Sequence, residues 1–187
     1  TNIAKQAFAS AVTNVVVKRL EMRHFAASGQ GQGVIQPSSG GWVIDSVYVH
    51  RSYGTGIRAQ PSSGTVLVRG GRFSNNGQYG TNGGNSGSSL ITFEGVECDS
   101  NATAGWVRGF GSGCSKFFST TGLVYKDSWV HHNLGNGVWT DIKNCNMKIQ
   151  NNLIENNYGT GIFVEISPDP GAVASCQDGE VSGNTSR

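Results

Sequence analysis

The chain has 187 residues, with 14 lysines and arginines against 12 aspartates and glutamates, and 28 glycines against 4 prolines. A net charge of +2 on scattered basic residues does not favour nucleic acid as a partner. No apolar run approaches the roughly 18 residues that a membrane span needs, so no span is predicted. The length suits one elongated domain over residues 1–187, and glycines at recurring offsets favour many tight turns over disorder.

Short runs of alternating apolar and polar residues recur along the chain, which is strand periodicity. Each repeat contains two short strands separated by a polar corner, then a third strand that opens with glycine and an apolar residue. The repeats are predicted to begin near Val15, Trp42, Val66, Leu90, Leu123 and Met147, with a partial one near Ala174. The glycine-rich stretch 77–88 lacks the pattern, so an irregular excursion is predicted there in place of a third strand.

One corner of the repeat carries an asparagine at nearly constant spacing. The residues are Asn76, Asn101, Asn133, Asn157 and Asn184, with gaps of 25, 32, 24 and 27 residues, and Ser52 extends the series by 24. A coil of stacked parallel strands places equivalent corners above one another, where an amide donates to one neighbour and accepts from the other. We therefore predict an all-β solenoid, a parallel β-helix of about six to seven rungs with an asparagine ladder.

The four cysteines divide into two pairs by their place in the repeat. Cys98 and Cys176 fall at inward-facing positions, which favours buried free thiols. Cys114 and Cys145 precede two successive repeats, so a disulfide between neighbouring loops is one possibility and two free thiols are the other.

Alternation along the last two third strands predicts which side chains face solvent. The predicted inward set is Val138, Thr140, Ile142, Ile162, Val164 and Ile166, and the outward set is Trp139, Asp141, Phe163 and Glu165. Asp141 and Glu165 are 24 residues apart, which predicts equivalent positions on adjacent rungs, about 4.8 Å apart. Lys116 lies 25 residues before Asp141 and is predicted to take the same position one rung earlier.

This outward group has the composition of a small carbohydrate site. Close carboxylates can divide the roles of acid and base, and a lysine can act as a base or neutralise a sugar carboxylate. The candidate catalytic residues are therefore Lys116, Asp141 and Glu165, and the candidate substrate-binding residues are Trp139, Phe163 and Arg108. No cofactor and no metal site are predicted, because no histidine pair has metal-ligand spacing with a third ligand. Alternatively, the charges form a solvated surface and the two aromatic rings cover each other.

Residues 130–167 carry a more specific pattern. The motifs are Val130-His131-His132-Asn133-x-Gly135-x-Gly137-Val138-Trp139-Thr140-Asp141-Ile142 and Gly161-Ile162-Phe163-Val164-Glu165-Ile166-Ser167. The chain thereby resembles secreted bacterial right-handed parallel β-helix proteins of the pectate-lyase-like superfamily. The resemblance implies a right-handed parallel β-helix, an extracellular location and polysaccharide as the partner. The superfamily includes lyases, hydrolases, epimerases and proteins without demonstrated activity, and its epimerase and calcium-binding signatures are absent here.

Two functions follow from these patterns. The first is an extracellular protein that binds or acts on polysaccharide, through a uronate lyase, epimerase or hydrolase-like site on the third strands. The second is a structural or adhesive solenoid without catalysis. Neither end carries a recognisable cap, so we expect either further rungs of a longer chain or head-to-tail stacking into a filament.

Overall fold

The computed structural model describes residues 4–28, 30–84, 90–167, 176 and 179–187. Within them the chain forms three sheets of seven strands, and every pair of neighbouring strands is parallel. Each sheet takes one strand from each rung, so successive strands along the chain belong to different sheets. This arrangement confirms the predicted parallel β-helix of about seven rungs.

The strands are short, and each sheet is named by the position of its strands in the repeat. The third-strand sheet contains β1 (Phe8–Ser10), β4 (Gly33–Pro37), β7 (Thr55–Ala59), β10 (Tyr79–Gly83), β13 (Gly113–Phe117), β16 (Val138–Thr140) and β19 (Ile162–Val164). The first-strand sheet contains β2 (Val16–Lys18), β5 (Trp42–Asp45), β8 (Thr65–Arg69), β11 (Leu90–Glu94), β14 (Gly122–Lys126), β17 (Lys148–Gln150) and β20 (Glu180–Ser182). The second-strand sheet contains β3 (Glu21–Arg23), β6 (Tyr48–His50), β9 (Arg72–Ser74), β12 (Glu97–Asp99), β15 (Trp129–His131), β18 (Leu153–Glu155) and β21 (Thr185–Ser186).

The first-strand sheet begins each rung close to where the alternation predicted. All six complete starts lie within one residue of the observed strand starts, and the partial start near Ala174 lies outside the described residues. A single short helix, α1 (Arg108–Gly111), interrupts the strands of the described chain. None of the described helical segments has the length and apolarity required to cross a membrane.

The core is a stack of inward side chains in register from rung to rung. In the first-strand sheet the column runs through Ile44, Val68, Phe93, Tyr125 and Ile149, all fully buried. Removing each such side chain from water contributes about 1.5–3 kcal/mol. The stack therefore holds neighbouring rungs together along the whole solenoid, which no single rung could do alone.

The corner between the second and third strands contains a column of buried asparagines. The amide oxygen of Asn101 accepts from the backbone N–H of Asn76 at 2.9 Å and from its side-chain amide at 3.1 Å. Asn101 donates in the same way to Asn133 at 3.0 Å, and Asn133 donates to Asn157 at 2.8 Å. Ser52 extends the column through its backbone N–H, 3.3 Å from the Asn76 oxygen. Four of the predicted asparagines therefore form one continuous ladder.

Asn184 does not belong to this ladder, so that part of the prediction is wrong. Its oxygen accepts from Asn152 at 2.9 Å, and Asn152 accepts from the backbone N–H of Ser128 at 3.0 Å. This second column lies at the corner between the first and second strands, where the polar pair Asn151-Asn152 precedes β18. The rung spacing is the same at both corners, so spacing alone could not separate the two columns.

The glycine-rich segment is a regular strand, contrary to the predicted excursion. β10 occupies the third-strand position, and all five of its residues are buried. A Cβ on Gly80 would lie 2.5 Å from the Cys98 sulfur and 2.7 Å from the amide nitrogen of Asn101. Inward apolar side chains are therefore missing from this strand because the disulfide and the ladder already fill the space. Residues 85–88 of the predicted excursion lie outside the described residues.

The inward prediction holds only as far as each third strand extends. Val138 and Thr140 are fully buried, but β16 ends at Thr140 and Ile142 is 40% exposed. Val164, the last residue of β19, and Ile166 are exposed as well. Ile142 and Ile166 lie beyond the strand ends, where alternation carries no information about direction, so their prediction is wrong. Val164 is in register with the buried Thr140 and is exposed because β19 is the edge strand of the sheet.

The cysteine prediction is wrong in both its parts. The disulfides join Cys98 to Cys114, with Cα atoms 5.8 Å apart, and Cys145 to Cys176, with Cα atoms 5.0 Å apart. Cys98 and Cys114 lie on β12 and β13, two successive strands of one rung, so their bond crosses the interior of that rung. Spacing along the chain suggested neighbouring loops, whereas the bond connects two inward positions within a single rung.

Replacing Asn101 by alanine should lower the free energy of unfolding by about 3 kcal/mol, because the change leaves Asn76 N–H and Phe73 C=O without partners in a dry interior. Urea unfolding of Asn101→Ala and Asn157→Ala gives the comparison. Asn157 is partly exposed, so water can replace its bonds and the loss should be smaller. Equal losses at both positions would contradict a role for burial in the ladder.

Removing the buried disulfide with Cys98→Ala and Cys114→Ala should lower the free energy of unfolding by about 3 kcal/mol, the value expected for a closed loop of this length. Peptide mapping without reductant should recover Cys98 linked to Cys114 and Cys145 linked to Cys176. A recovered link between Cys114 and Cys145 would refute the pairing.

Candidate functional site

The outward face of the third-strand sheet carries one row of side chains in register. Arg58 pairs with Asn82, and Asn82 pairs with Lys116 on the next strand. The register of Phe117 with Thr140 places Lys116 opposite Trp139, which in turn pairs with Phe163. Alternation along each strand turns this row away from the core, so the row spans five rungs on the outside of the solenoid.

Lys116 connects several groups at the middle of this row. Its Nζ lies 2.9 Å from Asp141 Oδ2, donates to the backbone oxygen of Phe110 at 2.9 Å and lies 3.7 Å from the ring centroid of Trp139. The predicted equivalence of Lys116 with Asp141 is wrong by two residues, because Lys116 lies opposite Trp139. The long lysine side chain nevertheless reaches Asp141, so the two predicted residues do meet.

Trp139 is not open to a ligand, although it was predicted to bind substrate. Its side chain is on the outward face, but the residue is only 2% exposed, because Lys116 covers one side and Phe163 packs at a centroid distance of 5.3 Å. The indole Nε1 donates to Glu165 Oε2 at 3.1 Å. This geometry matches the alternative in which Trp139 and Phe163 cover each other, and only Phe163 keeps an exposed part.

The remaining predicted residues have separate partners. Asp141 pairs with Lys116 and Glu165 accepts from Trp139, so each carboxylate is held by a different group. Arg108 lies on exposed helix α1, with its guanidinium 4.7 Å from the ring centroid of Tyr158. Arg108 is therefore directed toward a corner residue and is not part of the arrangement around Lys116 and Asp141.

A cleft of about 350 Å³ opens beside Lys116 on the third-strand face, and we call it the third-strand cleft. Its lining residues are Gln30, Gly31, Arg58, Tyr79, Asn82, Phe110, Lys116, Phe118, Asp141 and Ile142. The volume lies within the range of small-molecule sites, which combine apolar walls with a few polar groups. Of the predicted site residues, Lys116 and Asp141 line this cleft.

Two polar atoms of the cleft have no hydrogen-bond partner within the described structure. They are Oδ1 of Asn82, a residue only 3% exposed, and Nε of Arg58 on the adjacent strand. A buried polar group left unpaired costs about 1–3 kcal/mol, so such groups are rare in folded proteins. One atom is an acceptor and the other a donor, so together they could bind a hydroxyl group.

Burial in the third-strand cleft shifts the pKa values of Tyr79 and Arg58. Burial raises the pKa of Tyr79 above its ordinary value, the negative charge of Asp141 adds to the rise, and Arg58 opposes it. Burial lowers the pKa of Arg58. Sequence reasoning missed Tyr79 and Asn82, because residues 77–88 were interpreted as a loop, and it therefore missed Arg58, which pairs with Asn82 on the adjacent strand. The signal that could have found them is register, since Arg58 and Asn82 are 24 residues apart.

A wider groove of about 660 Å³ lies at the corner between the second and third strands. It is lined by His24, Phe25, Arg51, Tyr53, Asn75 and Thr103, among others. None of the predicted site residues lines it, and its lining contains no carboxylate. The third-strand cleft is therefore where the predicted and the observed features coincide.

Glu97, Asp99 and His131 form the one described group with metal-ligand spacing, with ligand atoms within 4.8 Å of one another. Arg72 donates to the two oxygens of Asp99 at 2.8 and 2.9 Å, and its Nε lies 3.4 Å from Glu97. The guanidinium thus supplies the positive charge that these carboxylates require. The group is an ion-pair network on the second-strand sheet.

Replacing Arg72 by methionine should destabilise the fold and change its response to acid. Burial would raise the pKa of Asp99, but the hydrogen bonds and charge of Arg72, with bonds from Ser100 and Ser74, hold that pKa below its ordinary value. The ionised Asp99 therefore stabilises the fold above an unfolded-state pKa of about 3.9, and this stabilisation is lost as the pH falls through the lower folded-state pKa. Because Arg72 is half-exposed, the loss at pH 7 should be about 1–2 kcal/mol, with acid unfolding beginning at higher pH.

Urea unfolding between pH 2 and pH 7 measures both effects. Arg69→Met is the matched control, since Arg69 forms an exposed pair with Asp45 at 2.8 Å on the first-strand sheet. Surface pairs contribute little, so this variant should follow the wild-type pH profile. Identical profiles for the two variants would argue against a special role for Asp99.

Comparison with known proteins adds the family and the fold. A family model described as right handed beta helix region matches residues 32–186. The complex structure of XylC with xylose is similar, with a TM-score of 0.72 and 18% identity over 98% of this chain and 36% of that chain. The Azotobacter vinelandii mannuronan C-5 epimerase AlgE6 A-module is also similar, with a TM-score of 0.51 and 15% identity over 92% of this chain and 51% of that chain.

No curated protein sequence matches this chain significantly. The chain spans about a third and about half of the lengths of the two similar structures. At identities of 18% and 15%, the likeness shows a shared fold, and roles of individual residues must be argued from this chain.

Proposed function

The chain belongs to the right-handed β-helix family, and on that premise we propose that it is a carbohydrate-binding protein whose ligand occupies the third-strand cleft. The observation that carries this proposal is the pair of buried, unpartnered atoms, Asn82 Oδ1 and Arg58 Nε, in a cleft of suitable volume. Sugar hydroxyls both donate and accept hydrogen bonds, so one of them can satisfy both atoms. The names of two similar proteins, one bound to xylose and one a mannuronan epimerase, point to the same class of ligand.

The charges of the cleft favour an acidic sugar. Arg58 and Lys116 are cations, and Asp141 is the one carboxylate among the lining residues, which leaves one excess positive charge. Asp141 already pairs with Lys116 at 2.9 Å, so the excess charge is that of Arg58, which suits the neutralisation of a uronate carboxylate. A lyase or epimerase would use this neutralisation to ease removal of the proton next to that carboxylate, with Asp141 or Glu165 as base, or with Lys116 as base in its neutral form. A hydrolase would instead use Asp141 and Glu165, one as general acid and the other as base or nucleophile.

We propose an extracellular location for the same reasons that favour polysaccharide as the partner. The two disulfides are compatible with an oxidising compartment, where such bonds persist. An exposed solenoid face presents its row of side chains to a long polymer, which suits ligands outside the cell.

A structural or adhesive solenoid is the second candidate, and one observation favours it. Lys116 pairs with Asp141 and covers the Trp139 ring, and Trp139 donates to Glu165, as groups on a stable surface would. This arrangement explains the predicted row without any ligand. It does not explain Asn82 and Arg58, whose unpartnered atoms lie at the other end of the row.

Binding of mannuronate, galacturonate and xylose oligosaccharides by calorimetry tests the proposal. Asn82→Leu removes the unpaired acceptor. Because a hydrogen bond of this kind contributes about 1–3 kcal/mol, the variant should bind about tenfold or more weakly. Asp141→Asn should alter binding of acidic sugars more than of xylose, since it adds a net positive charge to the cleft. Absorbance of unsaturated sugar ends after incubation tests the lyase version.

Gln150→Ala is the control, because Gln150 lies on the first-strand sheet, away from the cleft. The variant should bind as the wild type does. If the wild type binds no sugar of the panel, or if Asn82→Leu binds as tightly as Gln150→Ala, the cleft is not the ligand site and the structural candidate is favoured.

A further inference from the structure

Gln78, directly before β10, uses its buried side chain to connect two distant loops. The backbone N–H of Gly31 donates to Gln78 Oε1 at 2.7 Å, and Gln78 Nε2 donates to the backbone oxygen of Gly111 at 2.8 Å. The residue is fully buried, and both bonds are shielded from water. Gly31 and Gly111 are 80 residues apart, so this side chain links segments that share no strand pair.

The two loops are two walls of the third-strand cleft, and they approach each other, since a Cβ on Gly111 would lie 3.8 Å from Gln30 Nε2. Gln30 and Gly31 line it from one side, and Phe110 lines it from the helix α1 side. The backbone of Gln78 already makes the regular rung contacts, donating to Gly54 and accepting from Gly113. Its side chain is therefore not needed for strand pairing and serves the loops alone.

Each wall also contacts one of the two cations of the cleft. Arg58 Nη1 donates to the backbone oxygen of Gln30 at 3.2 Å, and a Cβ on Gly31, which has a φ of +69°, would lie 2.8 Å from that Nη1. On the other side, Lys116 Nζ donates to Phe110 O at 2.9 Å. Only glycine permits this close approach at position 31 with a left-handed backbone.

From these contacts we propose that Gln78 is a positioning residue, which fixes the separation of the two walls and so the placement of Arg58 and Lys116. This inference rests on the proposed function of the cleft. Loss of the side chain leaves the Gly31 N–H and the Gly111 C=O without partners, and each wall is then free to move outward toward water. The distance between the Arg58 and Lys116 side chains is then no longer fixed, so a ligand that contacts both is bound less well.

Gln78→Met tests the proposal, because methionine keeps the length and burial of the side chain and removes both hydrogen bonds. Hydrogen exchange of the Gly31 amide should become at least tenfold faster than in the wild type. Affinity for a mannuronate trisaccharide should fall about tenfold by calorimetry.

Asn152→Leu is the matched control for general destabilisation. Asn152 is a buried amide that also makes two-sided hydrogen bonds, but in the corner column away from the cleft. Where Asn152→Leu lowers the melting temperature as much as Gln78→Met does, it should still keep the wild-type exchange rate of the Gly31 amide and the wild-type affinity for the mannuronate trisaccharide. If Gln78→Met leaves Gly31 exchange unchanged, or weakens binding no more than Asn152→Leu does, Gln78 is not a positioning residue.

The failure of this inference can be told apart from the failure of the proposed function. A wild-type protein that binds no sugar refutes the function, and the exchange of Gly31 then decides by itself whether Gln78 holds the walls. A wild-type protein that binds the probe with unchanged affinity in Gln78→Met refutes the inference and leaves the function standing.

Discussion

The asparagine ladder is the interaction on which the rest of the structure depends. Each ladder amide accepts from the backbone of one rung and donates to the next, so a tight corner inside a dry core has no orphaned polar group. The residues directly before it, Arg51, Asn75, Ser100, His132 and Asn156, all have φ between 50° and 54°. The same turn is therefore repeated at each rung, and this repetition keeps the third strands in register.

The repeat period, and with it the fold, could be predicted from the sequence because one amide position recurs wherever a corner is buried. The same reasoning failed where two corners share one period. Asn184 was assigned to the wrong column because a rung contains several corners at equal spacing, and only a partner such as Asn152 distinguishes them. Cys98 and Cys114 were not paired for a related reason, since their contact crosses a rung and leaves no periodic signal.

The candidate site could be predicted only in part. Lys116 and Asp141 do meet, although a displaced register and a long side chain bring them together instead of equal positions. Asn82 was missed because its strand has small inward residues, and strand recognition depends on apolar ones. The space that such residues would fill is taken by the Cys98 sulfur and the Asn101 amide. The local sequence pattern therefore failed to predict β10, because residues distant in sequence fill the core beside this strand.

The outward row divides into two parts by how its polar groups are satisfied. From Lys116 to Glu165 each polar group has a partner inside the protein, and the Trp139 ring is covered. At Arg58 and Asn82, buried atoms remain unpaired, and an unpaired buried group costs about 1–3 kcal/mol unless something outside the chain compensates. The sequence pattern drew attention to the satisfied part, since charges and aromatics are conspicuous. Recognition of a ligand is better assigned to the unsatisfied part, because within the described outward row Arg58 and Asn82 are the residues whose buried atoms are left for another molecule to bond.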